Sequence, residues 1–166
     1  MNTPMRSVLF VCTGNTCRSP MAEALLLRRV RELGLDVTVQ SAGLAAAEGC
    51  APSGEAAGAV QGFGASLSAF RSQPVTPELI ASSDLILTMT EAQLDMLLLQ
   101  YRDAYGKAHA LLAYAHGARR ATGATEEQAD VVDPMGCDPV AYRERAEQIG
   151  RAIEAIVPCL CDPLES

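Results

Sequence analysis

The sequence of residues 7–20, SVLFVCTGNTCRSP, decides the fold of this chain. Its first part, residues 7–11, is largely apolar and β-branched, which is typical of a strand buried on both faces. A polar turn that contains glycine follows, and a helix is predicted over residues 18–33. Ser19 suits the cap of this helix and Gly34 suits its end. The stretch therefore predicts a strand, a tight turn and a helix.

The rest of the chain alternates between strand-like and helix-like segments. Strands are predicted at residues 37–40, 84–89 and 109–112, and helices at 53–61, 91–101 and 139–157. The polar stretch 114–132 is predicted to be an exposed loop. This alternation indicates an α/β sandwich on a parallel sheet. Because the chain shows no repeat and no linker, residues 1–166 are predicted to form a single domain.

Charge and composition argue against several classes of protein. The chain has 13 basic and 20 acidic residues, a net charge of −7, whereas nucleic acids and anionic membranes attract clustered Lys and Arg. No signal peptide is predicted, and no apolar run approaches the ~20 residues of a membrane span. Six cysteines in such a chain are expected to stay reduced, so a cytoplasmic location is predicted.

The turn at residues 12–19 lies where open α/β folds bind their ligands. Consecutive backbone N–H groups in such a turn form a nest for an anion, and the helix dipole adds positive potential. Gly14 allows close backbone approach, and Asn15 tolerates a left-handed backbone. The planar guanidinium of Arg18 matches phosphate oxygens. Cys12 faces this positive pocket, which favours a reactive thiolate.

A carboxylate late in the chain completes the candidate chemistry. A phospho-cysteine mechanism needs an acid to protonate the leaving group and then a base to activate water. Asp133, followed by Pro134, lies on a predicted loop that can fold over the pocket. The candidate catalytic residues are therefore Cys12, Arg18 and Asp133.

Four segments carry a resemblance to a known family. Residues 11–23, VCTGNTCRSPMAE, resemble the signature loop of the low-molecular-weight protein tyrosine phosphatases, and residues 41–43, 83–89 and 133–134 match that family in the same order. The similarity covers nearly the whole chain. It implies a flavodoxin-like three-layer sandwich, with a four-stranded parallel sheet and helices on both faces. It implies neither a cofactor nor a metal.

The resemblance also implies roles for individual residues. Cys12 would be the nucleophile, Arg18 the clamp on the phosphate and the transition state, and Asp133 the general acid. Ser19 would hydrogen-bond the thiolate and Asn15 would hold the loop. The residues expected to bind the phosphoryl group are Thr13, Gly14, Asn15, Thr16, Cys17 and Ser19. Phosphorylated proteins would be the partners and inorganic phosphate the product.

The walls of the pocket bear on which phosphoryl group is removed. Phosphotyrosine members of the family usually carry aromatic residues after the Asp-Pro pair, whereas this chain has Met135-Gly136, and residues 49–51 of the opposing region are not aromatic. The chain also lacks tryptophan. Thr16 resembles the residue found in the bacterial protein arginine phosphatases of the family. Phosphoarginine is therefore the expected substrate, with phosphotyrosine as the alternative.

The sequence argues against three other functions. An arsenate reductase on this fold needs two further cysteines near the third strand, and no cysteine lies between Cys50 and Cys137. A non-catalytic anion-binding module would not need the intact catalytic set. A zinc site built from Cys137, Cys159 and Cys161 lacks the usual two-to-four-residue spacer between the last two ligands.

Cys17 and the pair Arg119 and Arg120 are two further features of the sequence that could affect the site. Cys17 shares a tight loop with Cys12, so the pair is predicted to form a disulfide when peroxide oxidises Cys12. Arg119 and Arg120, within the long stretch before Asp133, are either rim residues of the pocket or solvated charges.

Overall fold

The computed structural model describes residues 4–120 and 130–161. Its strands are β1 (Ser7–Cys12), β2 (Thr38–Gly43), β3 (Leu85–Thr88) and β4 (Ala108–Ala110). Its helices are α1 (Arg18–Leu33), α2 (Gly54–Gln61), α3 (Pro77–Ser82), α4 (Glu91–Gln100), α5 (Leu111–Arg120) and α6 (Pro139–Leu160), with a 3₁₀ turn at Arg102–Ala104. The strands form one parallel sheet in the order β2-β1-β3-β4. The predicted four-stranded α/β fold is confirmed.

The central strand β1 is buried on both faces, as its apolar sequence predicts. Phe10 points into the larger core, which the sheet forms with α1, α2, α5 and α6. Leu9 and Val11 point into the smaller core on the opposite face, beneath α3 and α4. Because successive side chains of a strand alternate between faces, one apolar strand joins both cores. The three layers hold the carboxyl end of β1 in a fixed place.

The ends of α1 agree only in part with the sequence. Gly34 ends the helix in a left-handed conformation, with φ of 64°, as expected. Ser19, however, is not the cap: the cap position is Cys17, and it makes no side-chain cap bond. The Ser19 hydroxyl instead points back at the sulfur of Cys12. Ser19 is therefore of a residue type that often caps helices, but here its side chain contacts the turn that precedes the helix.

The stretch before Asp133 is the main departure from the predicted elements. An exposed loop is expected over residues 114–132, but residues 114–120 belong to α5, so the prediction is wrong there. Leu111 and Ala115 are buried on this helix, which packs against α6. Tertiary packing stabilises a helix whose glycine and polar residues give a weak local signal.

One short helix was not expected from the sequence. Thr76 caps α3 and Pro77 occupies its first turn, which are both favourable helix-start features.

No helix among the described residues is long and apolar enough to cross a membrane.

Candidate active site

A loop between β1 and α1 surrounds the sulfur of Cys12 at the carboxyl end of β1. The backbone N–H of Asn15 donates to Cys12 Sγ at 3.3 Å, and Ser19 Oγ lies 2.8 Å from the same sulfur. The loop and the first turn of α1 therefore converge on one atom. A thiolate at this point is stabilised by hydrogen bonds and by the positive end of the helix dipole.

Close packing against the end of β2 fixes the shape of this loop. A Cβ atom on Gly43 would lie 2.6 Å from the carbonyl oxygen of Thr13, so only glycine fits there. Just beyond Gly43, the N–H of Leu44 donates to Cys12 O and the N–H of Ala45 donates to Thr13 O, each at 2.9 Å. The carbonyls of Cys12 and Thr13 are thus satisfied from outside the loop, and the N–H of Asn15 points inward at the sulfur, as expected for a nest that binds an anion.

Asn15 holds the loop from within. Its φ of 54° is left-handed, a conformation that asparagine tolerates better than most residues. Its side chain is fully buried and donates through Nδ2 to Ser19 Oγ at 2.9 Å and to Ser41 Oγ at 3.0 Å. Its Oδ1 accepts from the backbone N–H of Gln73 at 3.0 Å. All the polar atoms of this amide are therefore satisfied by residues around the loop.

A carboxylate lies at the far end of this network. Ser41 Oγ donates to Glu23 Oε2 at 2.7 Å. Burial raises the pKa of Glu23 above its ordinary value, and the hydrogen bond from Ser41 acts in the opposite direction. The sequence alone does not predict a role for either residue, although both lie in segments that resemble the family.

Arg18 is buried beneath the loop, with 7% of its surface exposed. Its Nη1 donates to the carbonyl oxygen of Val131 at 3.0 Å, and its Nη2 lies 3.5 Å from a carboxylate oxygen of Asp133. The other oxygen of Asp133 accepts from the N–H of Met135 at 3.0 Å. The structure therefore brings Asp133 beside Arg18, at the end of the loop that begins with Cys12, although Asp133 is remote from both in sequence.

The underside of the loop rests on residues from α2 and α6. The N–H of Ser53, which caps α2, donates to Thr16 O at 2.9 Å. The sulfur of Cys17 lies 3.5 Å from Ser53 Oγ and 3.7 Å from the hydroxyl of Tyr142. Burial, together with the contact with Cys17, raises the pKa of Tyr142 to about 12, so the phenol stays protonated. Cys12 and Cys17 are both free thiols.

A model of the family described as low molecular weight phosphotyrosine protein phosphatase matches residues 7–162. The chain belongs to this family. It is a cysteine-dependent protein phosphatase on the low-molecular-weight phosphatase fold.

Relatives of this low-molecular-weight phosphatase include enzymes with two named specificities. A protein-arginine-phosphatase of Bacillus subtilis is 36% identical over 145 residues, which cover 86% of this chain and 88% of the relative. A probable low molecular weight protein-tyrosine-phosphatase, EpsP of Ralstonia nicotianae, is 33% identical and covers 93% and 95%. The structure of the YwlE arginine phosphatase from Geobacillus stearothermophilus superposes with a TM-score of 0.81, at 33% identity, over 92% of this chain and 91% of that one.

The outer lip of the phosphatase loop is formed by threonines and a glycine. Thr13 and Gly14 are exposed, and Thr16 is half-buried. Gln93 Nε2 donates to Thr13 Oγ1 at 3.2 Å, while the same side chain completes the capping box of α4. The lip facing an incoming substrate is thus braced from the helix that follows β3.

Other sequence-based candidates lie away from the Cys12 loop or outside the described chain. Cys50, Cys137, Cys159 and Cys161 are exposed free thiols. Within residues 4–120 and 130–161, no group of three or more His, Cys, Asp or Glu side chains could hold a metal ion. The side chains of Arg119 and Arg120, and residues 121–129, lie outside the described part of the structure.

Proposed function

We propose that this phosphatase hydrolyses phosphoarginine in proteins through a phospho-cysteine intermediate. The choice of substrate rests on Thr16, a loop residue with a half-buried side chain. Its Oγ1 lies 3.8 Å from the sulfur of Cys17, its neighbour in the loop. A hydroxyl at the edge of the phosphoryl site suits a polar guanidine better than an aryl ring.

The proposed mechanism has two displacements at phosphorus. The loop N–H groups and Arg18 bind the phosphoryl oxygens, and the Cys12 thiolate attacks phosphorus while the P–N bond breaks. Asp133 gives its proton to the departing guanidine nitrogen. Asp133 then takes a proton from water, which attacks the phospho-cysteine and releases inorganic phosphate and the Cys12 thiolate.

The residues expected to line the entrance to the Cys12 loop favour a substrate without an aromatic ring. Met135, which follows the Asp133-Pro134 pair, is 63% exposed and offers a flexible side chain instead of a flat one. Gly49 and Cys50, in the region that the family resemblance places opposite, are exposed and supply no ring. Stacking on aromatic walls is the main way a protein holds a phenyl group, and this entrance is poorly equipped for it.

Replacing Thr16 by isoleucine is expected to reverse the preference between substrates. The apolar side chain removes the hydroxyl beside the phosphoryl site, so the ratio of kcat/KM for phosphoarginine over phosphotyrosine peptides should fall at least about tenfold. The measurement is turnover of both peptides by the same enzyme preparation. Thr16→Ser, which keeps the hydroxyl, should preserve the ratio. An unchanged ratio in Thr16→Ile would remove Thr16 as the selector.

The proposed partners and setting follow from charge and thiol chemistry. A net charge of −7 argues against nucleic acids and anionic membranes as partners, and the phosphatase family of the chain supports phosphorylated proteins instead. The nucleophile must remain a thiol between turnovers, which a reducing compartment such as the cytoplasm ensures. No cofactor takes part in the proposed steps.

Peroxide is expected to inactivate the enzyme reversibly through a disulfide between Cys12 and Cys17. The Cys12 thiolate would be oxidised to a sulfenic acid, and the Cys17 thiol would displace water from it to form the S–S bond. Activity should return with a thiol reductant in the wild type and in Cys50→Ala, an exposed cysteine elsewhere. Cys17→Ala should recover poorly, because Cys12 is then open to further oxidation. Equal recovery, with no Cys12–Cys17 peptide by mass spectrometry, would contradict this.

A further inference from the structure

A continuous chain of hydrogen bonds joins the carboxylate of Glu23 to the sulfur of Cys12. It runs from Glu23 to Ser41 at 2.7 Å, from Ser41 to Asn15 at 3.0 Å, from Asn15 to Ser19 at 2.9 Å and from Ser19 to Cys12 at 2.8 Å. Asn15, Ser19 and Ser41 are buried, and Glu23 is half-buried at the outer end. The network thus connects a charged group on the second turn of α1 to the reacting atom.

The direction of each hydrogen bond in this network can be derived from the groups at its two ends. The Ser41 hydroxyl donates its single proton to the carboxyl oxygen of Glu23 at 2.7 Å. Ser41 Oγ is then left as an acceptor for the Asn15 amide. The N–H of Gln73 fixes Asn15 Oδ1, so its Nδ2 faces both serines.

This polarity decides the direction of the last bond. Ser19 Oγ accepts from Asn15 Nδ2 and has one proton to give. Its near neighbour is the sulfur of Cys12, so that proton points at the thiolate. A donor in this place stabilises the thiolate both when it attacks phosphorus and when it leaves the phospho-cysteine.

We propose that Glu23 is a positioning residue for catalysis: by anchoring the Ser41 hydroxyl, it holds Asn15 and thereby aims the Ser19 proton at Cys12. This role rests on the proposed phospho-cysteine mechanism. Glu23 touches neither the phosphoryl site nor Cys12, and it acts through Ser41, Asn15 and Ser19 in turn. Without its acceptor, Ser41 is free to rotate, and one amide proton of Asn15 loses a fixed partner.

The test uses p-nitrophenyl phosphate at pH 7 with the full-length enzyme. Glu23→Ala should lower kcat about tenfold, the size expected when a hydrogen bond to a charged group is weakened. The inhibition constant of inorganic phosphate should change less than about twofold, because the loop N–H groups and Arg18 remain. Glu23→Gln, whose amide oxygen can still accept from Ser41, should recover most of kcat.

A double-mutant cycle separates positioning from general destabilisation. In a Ser19→Ala background, Glu23→Ala should cause no further loss of kcat, because the proton that it directs is absent. Glu32→Ala on the same helix, which pairs with Arg28 at 2.8 Å and lies away from the loop, should leave kcat unchanged.

Three results would overturn the proposed role of Glu23. They are an unchanged kcat in Glu23→Ala, an equal loss with and without Ser19, and a kcat loss matched by an equal rise in the phosphate inhibition constant. The outcome is independent of the choice between phosphoarginine and phosphotyrosine, since p-nitrophenyl phosphate tests only the cysteine chemistry. If wild type shows no burst of p-nitrophenol from phospho-cysteine formation when hydrolysis limits turnover, the mechanism itself fails, which is a separate result.

Discussion

Replacing Cys12 by serine is expected to lower turnover by about 10⁴–10⁶-fold, the range seen when the nucleophile of a covalent mechanism is removed. A serine hydroxyl stays protonated at neutral pH, and within the described chain the Cys12 loop shows no general base positioned as its proton acceptor. Ser19 and the N–H of Asn15, which now contact the sulfur, remain to hold the new side chain. The variant should therefore fold and bind substrate without releasing phosphate.

The measurement compares steady-state release of phosphate with equilibrium binding of a phosphorylated peptide. Cys137→Ser, which changes an exposed cysteine on the segment after Asp133, serves as the matched control and should keep wild-type turnover. If Cys12→Ser kept near-normal turnover, or if the control lost activity to the same extent, Cys12 would not be the nucleophile.

Replacing Asp133 by asparagine is expected to slow hydrolysis by about 10²–10⁴-fold for substrates with poor leaving groups. The carboxylate lies 3.5 Å from Arg18 at the edge of the phosphoryl site, and asparagine cannot deliver a proton. A series of aryl phosphates with phenols of decreasing acidity measures the effect. The loss should grow steadily along the series, because a more basic leaving oxygen depends more on protonation.

Asp138→Asn is the control for this prediction. Asp138 caps α6 by accepting from Ala141 N at 3.0 Å, and asparagine is an equally good cap. The same chemical change a few residues away should therefore leave both turnover and its dependence on the leaving group intact. Equal losses for good and poor leaving groups in Asp133→Asn would show that Asp133 is not the acid.

Much of this fold follows from local sequence, because the strand, turn and helix signals agree around Cys12. An apolar β-branched strand, a glycine-containing turn and a helix that ends at Gly34 are each encoded over a few neighbouring residues. The helix α5 could not be predicted in the same way. It gains stability from burial against α6, which is far away in sequence, while its own residues carry polar groups and Gly117.

The residues of the candidate site likewise fall into those that could be predicted from the sequence and those that could not. Cys12, Arg18 and Asp133 could be selected because their chemistry is explicit in the residue types and the motif. The roles of Ser41 and Glu23 could not, since serine and glutamate are common surface residues, and Gln73 contributes a backbone N–H that its side chain does not reveal. Their function depends on hydrogen-bond partners that only the folded chain brings together. Ser19 lies between the two cases: the cap that its local sequence suggests is not formed, whereas its contact with the sulfur of Cys12 agrees with what the family resemblance implies.

The bond from Arg18 to the carbonyl of Val131 spans 113 positions of sequence. Because the ribosome makes a chain from its amino end, the residues of the Cys12 loop are synthesised well before the segment around Val131 and Asp133. During that interval, the nascent chain contains the proposed nucleophile Cys12, but neither the carbonyl group that holds Arg18 nor the proposed acid Asp133. On the proposed mechanism, the chain therefore becomes an active phosphatase only at a late step of biosynthesis, when the segment that carries Val131 and Asp133 packs beside the loop.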